Sequence, residues 1–158
     1  MPDFTLLSSN AKQVSPYDYR GRANLALFFL GRVQDAGDNA LLSALAARYG
    51  EIAETDSEIV VVLAESVAQA DEFRRKMHLP FPVLFDPDLR VHNMVGAAGA
   101  QAVPAAALYI TDRFLEVFAA WRTGTGDRLP DISGILSWLT YLDSQCAECT
   151  QIEWPGDD

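Results

Sequence analysis

The sequence predicts one α/β domain built on a mixed β-sheet with helices on both faces. Two apolar segments, residues 24–30 and 58–64, are each followed by a stretch with helical spacing, which is the pattern of parallel strands joined by helices. A strand-turn-strand pattern, with strands at residues 103–110 and 114–118, adds antiparallel strands to the same sheet. With 158 residues, of which 49% are hydrophobic, the chain can bury a core as a single domain.

The first elements are an N-terminal hairpin, a central strand and a long helix. Residues 4–7 and 13–14 flank a turn rich in Ser and Asn, which predicts the β-hairpin. The segment 24–30 is apolar on both faces, as a central strand is when helices cover both sides. Spacings of three and four from Leu41 to Ile52 then predict a helix. Asp35 and Asp38 suit the capping of its first turn.

The second half continues with alternating strands and helices. Residues 58–64 form a β-branched strand, and Ser66 with Gln69 has the spacing of a capping box that opens the next helix. Residues 79–85 predict a short third strand, followed by a brief helix that carries His92. For His92 we expect a packing role rather than catalysis. The closing helix lies near residues 132–142. The domain therefore spans residues 1–150, and residues 151–158 form a short C-terminal tail.

The charge balance excludes some classes of partner. Twelve basic residues are scattered among 22 acidic ones, for a net charge of -10, and nucleic-acid binding needs clustered Lys and Arg. No apolar run reaches the roughly 18 residues of a membrane span, and the first residues lack the pattern of a secretory signal. We therefore expect a cytoplasmic protein with no membrane or nucleic-acid partner.

Four segments, in this order and spacing, resemble one known family. They are residues 2–6 (PDFTL), 18–31 (DYRGRANLALFFLG), 81–87 (FPVLFDP) and the Val103-Pro104 pair that leads into the strand-turn-strand. The chain is similar here to the thioredoxin-fold redoxins, and within them to the peroxiredoxins of the alkyl hydroperoxide reductase and thiol-specific antioxidant group. The resemblance implies a thioredoxin-like fold and a cis peptide bond at Pro104 beside the active site.

The family's catalytic residues do not carry over to this sequence. In peroxiredoxins a Thr or Ser and the peroxidatic Cys start the first long helix, and counted from Gly31 these positions fall at Gln34 and Gly37. A Cys-x-x-Cys pair of other redoxins would also fall at residues 34–37, where the sequence reads Gln-Asp-Ala-Gly. The family's Arg falls at Ala105. We therefore expect no conventional peroxidase centre, and we assign Gln34, Asp35, Gly37 and Pro104 to a binding site at the family's active-site position.

The two cysteines of the chain, Cys146 and Cys149, form a Cys-x-x-Cys motif near its end. Such a pair can be redox-active, can provide half of a tetrahedral zinc site that a second subunit completes, or can be a plain structural pair. The negative end of the preceding helix and Glu148 disfavour the thiolate. We expect no cofactor.

Two functions follow from this sequence. The first is a redox-accessory or binding module, and the second is an antioxidant thiol-disulfide oxidoreductase that uses Cys146 and Cys149 as its catalytic pair. Thioredoxin or another thiol protein is the expected partner in both cases. A homodimer, zinc-bridged through the same cysteines, is a further alternative.

Overall fold

The computed structural model describes residues 1–32, 36–99, 101 and 103–145. A two-stranded antiparallel sheet pairs β1 with β2, and a five-stranded mixed sheet has the order β5-β4-β3-β6-β7. The strands are β1 (Leu6–Leu7), β2 (Gln13–Val14), β3 (Asn24–Leu30), β4 (Ser57–Leu63), β5 (Val83–Phe85), β6 (Ala107–Thr111) and β7 (Val117–Arg122). The helices are α1 (Ala36–Ala47), α2 (Tyr49–Ala53), α3 (Val67–Met77), α4 (Arg90–Met94) and α5 (Ile132–Asp143).

Strand β3 is the centre of the molecule, and all seven of its residues are buried. It pairs in parallel with β4, from Asn24 opposite Ser57 to Leu30 opposite Leu63, and antiparallel with β6. Alternate side chains of β3 point to opposite faces of the sheet. Phe28 and Leu30 belong to a core with α1, α2, α3 and α5, whereas Phe29 belongs to a second core with α4 and the N-terminal segment. The mixed sheet with helices on both faces and the N-terminal hairpin are thus confirmed.

The single helix predicted after β3 is two helices. Arg48 separates α1 from α2 with a backbone conformation outside the helical region (φ -111°, ψ 17°). Leu42 and Leu45 of α1 and Ile52 of α2 nevertheless enter the same core, which is why their spacing resembled that of one continuous helix. Among the described residues, none of the helices could span a membrane.

The predicted bounds of the last two strands are wrong. We expected the first of these strands to begin at residue 103, but β6 begins at Ala107. Residues 103–105 run antiparallel to residues 97–99 instead, and Ala105 N–H donates to the Ala97 carbonyl at 2.8 Å. The second was expected at residues 114–118 and lies at Val117–Arg122. Residues 113–116 belong to the turn, since the Asp112 carboxylate accepts the N–H groups of both Phe114 and Glu116.

Candidate functional site

The candidate site lies between the carboxyl end of β3 and the beginning of α1. The carboxyl ends of β3 and β4 meet here, with the beginning of β6 on the other side of β3. This edge is where open α/β sheets bind their ligands. Gly31, the first residue after β3, donates its N–H to Asp38 Oδ2 at 3.3 Å and accepts from Ala64 N–H at 3.3 Å. Asp38 in the first turn of α1 therefore holds both ends of the connection between β3 and α1 together.

The segment before β6 lies beside this edge, and it corrects one expectation. The resemblance implied a cis peptide bond at Pro104. The described residues contain no cis peptide bond, and the Val103–Pro104 bond is therefore trans. Trans is the lower-energy state of an X-Pro bond by about 0.5–1 kcal/mol. With this bond trans, the segment forms backbone contacts with residues 97–99. Pro104 forms an antiparallel β-bridge with Ala98, and Gly99 N–H donates to the Val103 carbonyl at 2.8 Å.

A cleft of about 370 Å³ opens between α1, the start of β6 and the connection from β7 to α5. Its lining residues combine an apolar floor with a charged rim; they are Asp38, Leu41, Ala106, Thr123, Asp127, Arg128, Leu129 and Pro130. We call this space the site cleft. Asp38 lines the cleft and also accepts the Gly31 N–H after β3, so the cleft borders the position at which the family resemblance implies the catalytic residues.

Hydrogen bonds fix the outer wall of the site cleft. Thr123 Oγ1 accepts from Ala106 N–H at 2.9 Å and donates to the Ala106 carbonyl at 3.1 Å, which ties the wall to the beginning of β6. The Asp127 carboxylate accepts Arg122 N–H at 2.9 Å, and Asp127 N–H returns a bond to the Arg122 carbonyl. The wall is thus preorganised, and it presents the exposed Arg128 at the rim.

The residues assigned from the sequence are placed as follows. Gly37 is in the first turn of α1, and Pro104 lies two residues before Ala106 of the cleft. Gln34, Asp35, Cys146 and Cys149 lie outside the described residues, and their roles stay predictions. Thr123, Asp127 and Arg128 were not predicted, because only the tertiary fold brings the connection after β7 beside α1. Within the described part of the chain no cluster of three or more His, Cys, Asp or Glu could hold a metal ion.

A buried, hydrogen-bonded pair, His92 and Asp86, lies next to the end of β3. His92 on α4 is fully buried, and its Nδ1 lies 2.8 Å from Asp86 Oδ2, while its Nε2 lies 2.9 Å from the Leu30 carbonyl oxygen. Asp86 Oδ2 also accepts the backbone N–H groups of Val91 and His92, at 2.9 and 2.8 Å. Burial alone would raise the pKa of the Asp86 carboxyl, but these bonds from His92 and Val91 outweigh it and hold the pKa below its usual value.

Comparison with known proteins identifies the family. The sequence profile described as the AhpC/TSA family matches residues 1–119. No curated protein matches the chain in sequence.

Solved structures share the fold at low sequence identity. The peroxidoxin BcpB of Mycobacterium tuberculosis is similar at 16% identity and a TM-score of 0.79, over 90% of this chain and 94% of that one. Peroxiredoxin Q of Xanthomonas campestris is similar at 18% identity and a TM-score of 0.78, over 89% and 91%. A putative thiol:disulfide interchange protein DsbE of Chlorobium tepidum reaches 17% and 0.71, over 90% and 93%. The fold is thioredoxin-like. Because the family profile covers about three quarters of the length of the chain, the chain belongs to the AhpC/TSA family.

Proposed function

We propose that this AhpC/TSA-family domain has no thiol peroxidase centre and works as a redox-accessory or binding module through the site cleft. The observation that carries the proposal is the first turn of α1. It is bonded through Asp38 to Gly31 at the carboxyl end of β3, where the resemblance implies the peroxidatic Cys, and it contains Gly37 instead. No cysteine occurs anywhere in residues 1–145.

The chemistry of peroxide reduction explains why this matters. The reaction needs a thiolate that gives up two electrons and becomes a sulfenic acid. Glycine has no side chain to react, and the Asp38 carboxylate is not a two-electron reductant. The Arg that stabilises developing charge in peroxiredoxins falls at Ala105, which cannot donate a hydrogen bond through its side chain.

The site cleft supports a binding role instead. Leu41 and Leu129 supply apolar surface, while Arg128 and Asp127 supply opposite charges at the rim. Its wall is held by the paired bonds of Thr123, so little conformational entropy is lost when a partner docks. A thiol protein such as thioredoxin is the partner that we propose, because the chain belongs to a redox family.

The second candidate function is thiol-disulfide exchange by Cys146 and Cys149. It is favoured by the Cys-x-x-Cys spacing and by the structural similarity to a putative thiol:disulfide interchange protein. Against it, helix α5 ends at Asp143, three residues before Cys146, and the negative end of a helix disfavours a nearby thiolate. A zinc site shared between two subunits uses the same two thiols.

A coupled assay separates these functions. NADPH oxidation is followed with thioredoxin, thioredoxin reductase and either hydrogen peroxide or a disulfide substrate, for the wild type and for Cys146→Ser. We expect both variants to give the same rate of NADPH oxidation as a blank that contains only thioredoxin, its reductase and the substrate. An active peroxiredoxin added as a positive control should raise that rate. Turnover by the wild type that disappears in Cys146→Ser would reject the accessory role and establish the oxidoreductase. Zinc at half an equivalent per chain would establish the bridged dimer.

The binding role has its own test at the rim of the cleft. Thioredoxin is titrated into the isotope-labelled protein, and the backbone amide signals are followed by NMR. We expect the shifts to centre on Ala106, Thr123 and Arg128, and Arg128→Ala to weaken binding about fivefold, as removal of one rim ion pair of about 1 kcal/mol would. Arg113→Ala is the matched control, since Arg113 lies in the turn between β6 and β7 at the other end of these strands. Equal weakening in both variants would indicate attraction by net charge and not docking in the cleft.

A further inference from the structure

His92 has an unusual environment for a histidine in a hydrophobic core. Its ring is fully buried and packs edge-to-face against Phe29, with ring centroids 5.6 Å apart. Each of its two nitrogens nevertheless lies within 3 Å of an oxygen atom, Asp86 Oδ2 on one side and the Leu30 carbonyl oxygen on the other. Both contacts therefore have the distances of strong hydrogen bonds.

The nature of the two oxygens determines where the protons are. A carbonyl oxygen can only accept, so the Leu30 contact requires a proton on Nε2. Asp86 Oδ2 already accepts two backbone N–H groups, so it faces the ring as an ionised carboxylate that also only accepts. A neutral imidazole has one donor nitrogen and one acceptor nitrogen, and only the imidazolium donates from both.

The Leu30 carbonyl is a group that needs a donor from outside the sheet. The paired register of β3 with β6 ends at Phe29 opposite Ala107, one residue before Leu30. On the β4 side, the next bond runs from Ala64 N–H to the carbonyl of Gly31. A buried backbone carbonyl without a partner is costly, and the His92 ring supplies the donor where β6 is absent.

We propose that His92 is held as an imidazolium in the folded protein and acts as a positioning residue that clamps the carboxyl end of β3 to Asp86. The clamp joins three elements: the end of β3, Asp86 just after β5, and α4, which carries His92. A neutral ring could satisfy only one of the two oxygens. This proposal does not depend on what binds in the cleft, so it can fail or hold independently of the proposed function.

The protonation state is tested on the unmodified protein by nitrogen-15 NMR. The chain has two histidines, His78 and His92, and a His78→Gln variant assigns their signals. His78 is exposed, so this variant leaves the core intact. At pH 7.5 we expect both ring nitrogens of His92 to carry a bonded proton. A non-protonated ring nitrogen on His92 at this pH would overturn the proposal.

The clamp itself is tested by native-state hydrogen exchange in His92→Gln. We expect the Ala64 amide, which donates to Gly31, to exchange at least tenfold faster than in the wild type, as expected when a hydrogen bond from a charged donor is lost. The Ile135 amide of α5 is the remote reference, and His78→Gln is the control variant. Equal acceleration at Ala64 and Ile135 would mean that the variant only lowers global stability, and His92 would then not be a positioning residue.

Discussion

Replacing Asp86 with asparagine is expected to lower the free energy of unfolding by about 3–5 kcal/mol. With His92 held as the imidazolium proposed above, the substitution removes one partner of a buried ion pair and leaves the other uncompensated, which is among the larger penalties that a single substitution produces. The side chains of His92 and Asp86 are 0% and 3% exposed, so solvent does not screen the loss. Urea denaturation of wild type and variant at pH 7 measures the difference.

The same substitution also changes how stability depends on pH. The pKa of Asp86 is lowered in the folded protein. The stability that its carboxylate contributes is therefore complete above the ordinary carboxyl pKa of about 4 and is lost as the pH falls below that value. The wild type should therefore lose stability as the pH falls below about 4, and Asp86→Asn should lose less over the same change in pH. Asp88→Asn is the matched control, because Asp88 is exposed two residues away. Identical acid slopes for the two variants would contradict the buried pair.

The central part of the fold was predictable because burial leaves a local signature. Strand β3 has the predicted bounds, residues 24–30, since a strand covered on both faces must be apolar at nearly every position. The N-cap of α3 was also predictable: Ser66 Oγ accepts the Gln69 N–H, as the S-x-x-Q spacing indicated. Both features depend on residues that are close together in the sequence.

The features that were missed depend on contacts between distant segments. The residues before β6 have strand-like composition, but composition does not show that they pair with residues 97–99 and not with β3 or β7. Thr123 and Arg128 reach the site cleft only through the position of β7 at the edge of the sheet. For His92 the sequence predicted only a packing role, because its hydrogen bond to the Leu30 carbonyl joins residues that are 62 positions apart.

Truncation of Phe29 to alanine is the second substitution with a large expected effect, a loss of about 3–5 kcal/mol in the free energy of unfolding. Its fully buried ring packs edge-to-face on Phe4, His92 and Tyr109, with centroid distances of 5.9, 5.6 and 6.0 Å. The cavity would also remove one wall of the His92 site. Phe29→Leu, which keeps most of the volume, should cost about 1 kcal/mol.

The exposed aromatic Phe114 provides the control for this prediction, since Phe114→Ala should change stability by less than about 0.5 kcal/mol. Combining Phe29→Ala with Asp86→Asn tests whether the two residues act through the same histidine. If both residues act through the His92 ring, the two losses in the free energy of unfolding should be non-additive by about 1 kcal/mol or more. The first substitution already loosens the ring, so the second removes fewer of its contacts. Additive losses in denaturation of the double variant would show that Phe29 stabilises only the core, and that packing around the ring does not support the clamp between β3 and α4.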